Sequence, residues 1–135
     1  MDVTVVREAE ADINRVWARL RDFGNMSWLP GLDRVEVEGA GIGMVRRVVP
    51  AGGQPIEETL TLLDEGSRKI GYSIKQTPWF PFEKFTGDVT LTPLGDGAIR
   101  VAWHCNFEPG EVPAKEARAR FEETYGGLIS CLLSA

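Results

Sequence analysis

Hydrophobic and polar residues alternate along most of this chain, while two stretches repeat with the spacing of a helix. Alternation around Val3 and Val5 predicts a first β-strand. Asp12 then stands where a helix would be capped, because its side chain can accept a hydrogen bond from the first turn. The apolar stripe of that helix consists of Ile13, Val16, Trp17 and Leu20. The segment 24–32 predicts a short second helical turn, which Pro30 and Gly31 end.

From residue 33 the apolar period changes to two, and this period predicts six further strands. They lie in segments 33–53 (two strands joined by a Gly-rich turn), 54–66, 67–76, 85–94 and 98–109. Pro113 then begins a long helix with one apolar face, formed by Ala117, Phe121, Thr124, Tyr125, Leu128 and Leu132. The order of one strand, two short helices, six strands and one long helix predicts an α+β fold, with the helices on one face of a curved antiparallel sheet.

The same alternation assigns strand residues to the buried face of the sheet. In the last strand it places His104 on the outer face, opposite the apolar residues. In the strand that begins near Ile56, the pattern assumes that Leu60 and Leu62 both face inward, which brings Glu58 to the same side. The other residues expected to face inward are Ile70, Tyr72, Ile74, Phe85, Gly87, Val89, Leu91, Ile99, Val101, Trp103, Cys105 and Phe107.

Length, charge and motifs narrow the class of protein. With 135 residues, the chain is expected to form a single domain over 1–135. Its net charge of −5, with no basic cluster, disfavours nucleic acid as a partner. The apolar runs are too short for membrane insertion and the N-terminus lacks a signal-peptide pattern, so a cytoplasmic protein is expected. Cys105 and Cys131 form no CxxC motif, and no spacing of residues predicts a metal site.

Several segments in this order resemble the polyketide cyclase/dehydrase and lipid transport branch of the START-like, or SRPBCC, superfamily. They are "GMVRRV", "IEETLTLLDEGSRKIGYSI", "PFEKFTGDVTLTPLGDG", "VAWHCNFEP" and a closing helix that contains "GGL". The resemblance covers nearly the whole chain. It implies a helix-grip fold, in which a seven-stranded antiparallel sheet wraps around the long C-terminal helix. It also implies a deep cavity for a hydrophobic or amphipathic small molecule. No cofactor is expected.

A charged pair is expected inside this cavity. An ionised Glu58 on an apolar face needs a partner, and the neighbouring strand carries Arg46 and Arg47, of which one must face inward. The resemblance favours Arg46, since family members commonly have an arginine there and a glutamate at the position of Glu58. The alternative is an ion pair at the surface or rim, with little energetic consequence.

The stretch "TPWFPFEKFTG", residues 77–87, concentrates aromatic rings between two prolines. Because proline prevents regular pairing, and because the resemblance places a loop at the pocket mouth here, Trp79, Phe80 and Phe82 are expected to cover the cavity. Trp28 is expected to approach the same opening from the other side. The alternative is that these rings cap the core and contact no ligand.

Two functions from different classes fit these features. One is a carrier or sensor for a lipid, polyketide or isoprenoid-like molecule, and the other is a polyketide aromatase/cyclase or dehydratase that uses Glu58 or a pocket tyrosine for proton transfer. A third possibility is a filled cavity in a domain that acts through its surface, for example as a homodimer. Of these groups, Glu58 is the leading candidate for a catalytic role. The residues expected to bind ligand are Trp28, Arg46, Glu58, Tyr72, Trp79, Phe82, Phe85, Trp103, Cys105, Phe121 and Tyr125.

Overall fold

Strands account for most of the regular structure in the computed structural model, which describes residues 1–134. The chain order is β1 (Asp2–Glu10), α1 (Ile13–Arg21), β2 (Leu32–Glu38), β3 (Val45–Pro50), β4 (Ile56–Asp64), β5 (Lys69–Ile74), β6 (Glu83–Gly95), β7 (Ala98–Glu108) and α2 (Ala114–Leu133). Neighbouring strands pair antiparallel in one seven-stranded sheet with the order β1-β7-β6-β5-β4-β3-β2. This is the α+β helix-grip architecture that the sequence predicts.

The long helix α2 packs against β1 and β7 and presents rings to the centre of the sheet. Phe121 lies 5.3 Å from Phe85 of β6, and Tyr125 stacks on Trp103 of β7 at 5.3 Å between ring centroids. The helix also buries Ile129, which the predicted stripe omits. Thr124, which the stripe includes, is exposed. The helix is therefore rotated slightly from the face that the sequence pattern defines.

The two helices are joined through the C-terminal end of α2. This end carries unpaired carbonyl groups, and α2 has no basic residue of its own in its last turn. Arg19 of α1 donates hydrogen bonds to the carbonyl oxygens of Leu132 and Ser134, at 2.8 and 2.6 Å. Arg15 donates to the Leu133 carbonyl at 3.2 Å. The cations of α1 thus offset the negative end of the α2 dipole and fix the contact between the helices.

Between α1 and β2, the expected helical turn forms as two separate turns. Asn25 N–H donates to the Asp22 carbonyl at 2.9 Å, and Leu29 N–H donates to the Met26 carbonyl at the same distance. Each bond spans three residues, and no regular helix forms between α1 and β2. These turns bring Met26 and Leu29 toward the concave side of the sheet, where both line a cavity described below.

The alternation correctly assigns the buried face of β5, β6 and β7. Every residue of β7 predicted to face inward is 4% exposed or less. The assignment is wrong for Leu62 of β4, whose side chain is 41% exposed. A β-bulge between Leu60 and Leu62 shifts the register by one residue, so that the two leucines lie on different faces. Glu58 and Leu60 precede the shift, and their inward orientation is unaffected.

Candidate functional site

A cavity of about 220 Å³ lies between α2, the concave face of the sheet and the turns after α1. Most of its wall is apolar, and its polar groups are concentrated on a few side chains. The lining residues are Met26, Leu29, Leu32, Arg46, Val48, Pro50, Ile56, Glu58, Tyr72, Ile74, Phe80, Phe85, Trp103, Phe121, Thr124, Tyr125 and Leu128. A cavity of about 150 Å³ holds one benzene molecule, so this one is large enough for a substituted ring or a short acyl chain.

The cavity contains an ion pair, which two adjacent strands position. Arg46 of β3 and Glu58 of β4 are direct cross-strand partners, so their side chains project from the same face. Arg46 Nε donates to Glu58 Oε1 at 2.6 Å. The two side chains are 10% and 13% exposed, and the pair is therefore largely buried. The alternative of an exposed pair at the surface or rim does not describe this geometry.

Arg46 is held by two further contacts. Its Nη1 donates to the Phe23 carbonyl at 2.8 Å, and its guanidinium carbon lies 3.8 Å from the centroid of the Phe23 ring. Phe23 lies just after α1, so the segment at the end of this helix holds the Arg46 guanidinium in place. Arg47, the next residue, faces the other side of the sheet and pairs with Glu57 at 3.0 Å. The two adjacent arginines thus form separate ion pairs on opposite faces of the sheet.

Two tyrosines supply the remaining buried hydroxyl groups of the cavity. Trp103 Nε1 donates to the Tyr72 hydroxyl at 2.9 Å, and this hydroxyl lies 3.5 Å from the hydroxyl of Tyr125. Burial, together with the nearby Glu58 carboxylate, raises the pKa of Tyr72. Burial and the neighbouring Tyr72 hydroxyl raise the pKa of Tyr125. Both phenols therefore remain un-ionised near neutral pH and can donate or accept a hydrogen bond.

The sequence predictions for the site divide into two groups. Seven of the predicted residues line the cavity: Arg46, Glu58, Tyr72, Phe85, Trp103, Phe121 and Tyr125. Trp28, Trp79, Phe82 and Cys105 do not line it. The predicted set omits Met26 and Leu29, whose contribution depends on how the turns after α1 fold over the sheet. It also omits Val48 and Pro50, which follow the inward-facing Arg46 along β3 with a period of two. Ile74 and Leu128 are also missing, although the same alternation and helix spacing include them.

Phe82 belongs to the core and does not cover the cavity mouth. Thr77 and Phe80 exchange two backbone hydrogen bonds of 3.0 and 3.1 Å, which fold the loop into a tight turn. The chain then directs both Phe80 and Phe82 inward, so that Phe82 is fully buried. Its ring centroid lies 5.1 Å from that of Phe107 and 5.0 Å from that of Phe121. Phe80, in contrast, reaches the cavity wall.

The other three residues lie elsewhere for identifiable reasons. Trp79 is 41% exposed, and its Nε1 donates to the Pro55 carbonyl at 2.7 Å, which fixes the indole beside the β3–β4 loop. Trp28 lines a narrow crevice on the other side of Arg46. Cys105 is fully buried in the core, and this burial raises the pKa of its thiol. A thiol in such a site is a poor nucleophile.

His104 lies on the outer face of the sheet, as its position in β7 predicts. Its Nδ1 is 2.8 Å from Asp88 Oδ2 and its Nε2 is 2.7 Å from Asp2 Oδ1. Partial burial opposes protonation of the ring, but the bonds to the two carboxylates outweigh it and raise the pKa of His104. This group links β1, β7 and β6 on the side away from the cavity.

Among residues 1–134, no group of three or more histidine, cysteine or acidic side chains is placed to hold a metal ion. Neither helix in that part of the chain is both long and apolar enough to cross a bilayer.

An antiparallel sheet, a long helix across it and a cavity between them define a helix-grip domain. Solved structures with this fold superpose over 98% of the chain. A protein from Bacillus thuringiensis shares 23% identity over 96% of its length (TM-score 0.86), and XoxI from Bacillus cereus shares 25% over 92% (TM-score 0.85). Norcoclaurine synthase from Thalictrum flavum shares 13% over 83% (TM-score 0.74).

The model of the family described as polyketide cyclase / dehydrase and lipid transport matches residues 1–133. The chain therefore belongs to this family, as the sequence resemblance predicts. No curated protein sequence matches the chain. The low identities to the solved structures support the shared fold, while the choice of ligand has to be argued from the cavity itself.

Proposed function

We propose that this protein binds a hydrophobic or amphipathic small molecule in the cavity between the sheet and α2, as a carrier or a sensor. The observation that carries this proposal is an apolar cavity of about 220 Å³ with a small number of convergent polar side chains. This combination is typical of small-molecule sites, in which apolar walls supply affinity and a few polar groups fix orientation.

The first experiment asks whether the protein retains a ligand from its expression host. Native mass spectrometry of the purified protein is expected to show a second species, heavier by the mass of a bound small molecule. Extraction and mass spectrometry then identify that molecule. In parallel, 1-octanol is expected to raise the melting temperature in a concentration-dependent manner, because a ligand that binds only the folded state stabilises it.

A matched pair of substitutions in β4 tests whether the cavity is the binding site. Ile56 lines the cavity, whereas Leu62 of the same strand is exposed on the other face. Ile56→Trp fills part of the cavity with an indole and is expected to abolish the bound species and the shift caused by 1-octanol. Leu62→Trp is expected to leave both unchanged. Equal effects of the two substitutions, or no binding by the wild type, would rule out the proposal.

A second candidate function is a cyclase or dehydratase that acts on a polyketide-like chain. It is supported by the carboxylate of Glu58, which adjoins the cavity together with the un-ionised phenol of Tyr125. The pairing of Glu58 with Arg46 at 2.6 Å weighs against a role in proton transfer, because the Glu58 carboxylate would have to leave its partner. Conversion of a supplied poly-β-ketone by the wild type, lost in Glu58→Gln with binding retained, would establish the enzymatic role.

A further inference from the structure

The charges inside the cavity cancel, and this cancellation restricts the kind of ligand head group. Arg46 and Glu58 are the charged residues of the described cavity wall, and they are paired with each other. The Tyr72 and Tyr125 phenols remain neutral because burial raises the pKa of both. A ligand that entered with a charge of its own would lose hydration without finding an unpaired opposite charge.

The pair still has unused hydrogen-bonding capacity. Arg46 uses Nε for Glu58 and Nη1 for the Phe23 carbonyl, and Glu58 accepts through Oε1. Within residues 1–134, no hydrogen bond is found for Arg46 Nη2 or Glu58 Oε2. No side-chain nitrogen or oxygen in that range is both sealed from solvent and without a partner, so both atoms must be accessible. The overall neutral pair therefore offers one further donor atom, Arg46 Nη2, and one further acceptor atom, Glu58 Oε2.

We infer that the cavity selects uncharged ligands whose polar end is a hydroxyl group, an alcohol or a phenol, over carboxylates and amines of the same carbon skeleton. A hydroxyl donates one hydrogen bond and accepts others, so it can donate to Glu58 Oε2 and accept from Arg46 Nη2. A carboxylate would be repelled by Glu58, and an ammonium group by Arg46. This inference rests on the proposed function, since it concerns the selectivity of the same cavity.

The test compares three probes with one eight-carbon chain: 1-octanol, octanoate and octylammonium. Isothermal titration calorimetry with the wild-type protein at about pH 7, where both ionisable probes are charged, gives the three dissociation constants. We expect 1-octanol to bind at least about tenfold more tightly than either charged probe, since like-charge contacts in a buried site are costly. Octanoate or octylammonium binding as tightly as 1-octanol would overturn the inference but leave the proposed function intact. Binding by none of the three would overturn both.

Charge substitutions then reverse the selectivity if the pair is responsible for it. Glu58→Gln leaves the positive charge of Arg46 uncompensated, so the ratio of octanoate to 1-octanol affinity is expected to rise at least about tenfold. Glu57→Gln is the matched control, because Glu57 is adjacent in β4 but pairs with Arg47 on the opposite face. An equal change in both variants, or an unchanged ratio in Glu58→Gln, would contradict the inference. The wild-type probe series decides the question by itself if Glu58→Gln does not fold.

Discussion

Truncation of Phe82 to alanine is expected to lower the free energy of unfolding by about 3 to 5 kcal/mol, the range observed when a buried phenylalanine is lost. The upper half of that range applies here because the side chain is 0% exposed and rings surround it. The centroids of Phe80, Phe107 and Phe121 lie 5.0 to 5.1 Å from that of Phe82, in edge-to-face contacts. Three rings anchored on different elements cannot all collapse into the space that the substitution leaves.

The comparison with Trp79→Ala makes this prediction specific to the structure. Both residues belong to the same aromatic loop, but Trp79 is 41% exposed and its indole makes one hydrogen bond to the Pro55 carbonyl. Its truncation is expected to cost only about 1 kcal/mol, which is the net value of one such bond. Since a small domain has about 5 to 15 kcal/mol of stability, only Phe82→Ala removes a large fraction of it.

Urea denaturation followed by circular dichroism measures both values, and thermal unfolding provides a second measurement. For a chain of this size, Phe82→Ala should lower the melting temperature by about 10 to 20 °C. The assignment of Phe82 to the core would be refuted if Phe82→Ala lowered the free energy of unfolding no more than Trp79→Ala does. A loss of ligand affinity without a loss of stability would restore the view that Phe82 covers the cavity mouth.

Three further predictions follow from local geometry. Gly87→Ala should lower the free energy of unfolding by about 1 to 3 kcal/mol, because an added Cβ would lie 2.5 Å from the buried Tyr72 ring. Gly127→Ala, in the open part of α2, should raise it by about 0.5 to 1 kcal/mol. Urea titration compares the two variants, and equal effects would contradict the packing argument. Arg19→Ala removes the bonds to the end of α2 and should cost about 1 kcal/mol in the same assay, so an unchanged midpoint would count against this capping. Because the pKa of His104 is raised in the folded state, its protonation stabilises the fold at pH values below the ordinary pKa of 6.5, and this contribution is lost as pH rises through the folded-state pKa. His104→Gln should therefore flatten the dependence of unfolding free energy on pH in that range. An identical slope in the variant would refute the assignment.

Strand alternation was sufficient to locate much of the candidate site. The inward-facing apolar residues of β5, β6 and β7 recur with a period of two, so the pattern assigns Tyr72, Phe85 and Trp103 to the concave face correctly. A partner for Glu58 on the neighbouring strand is expected because a carboxylate on an apolar face requires one, whereas the choice of Arg46 over Arg47 rests on the family resemblance. In each case the side chain direction depends only on its own strand and the adjacent one.

The sequence alone determined the order of elements, the fold class and the chemistry of the polar pair, because hydrophobic period and residue type are local properties. Only the tertiary structure decided that Leu62 faces outward, that Phe82 is buried while Trp79 is exposed, and that Met26 lines the cavity. The bulge adds one residue to β4, and its position depends on how β4 pairs with β5. The loop and the turns after α1 likewise take their final direction from packing against distant elements. The space left between the sheet and α2 depends on all these placements together, so no single segment of the sequence predicts it.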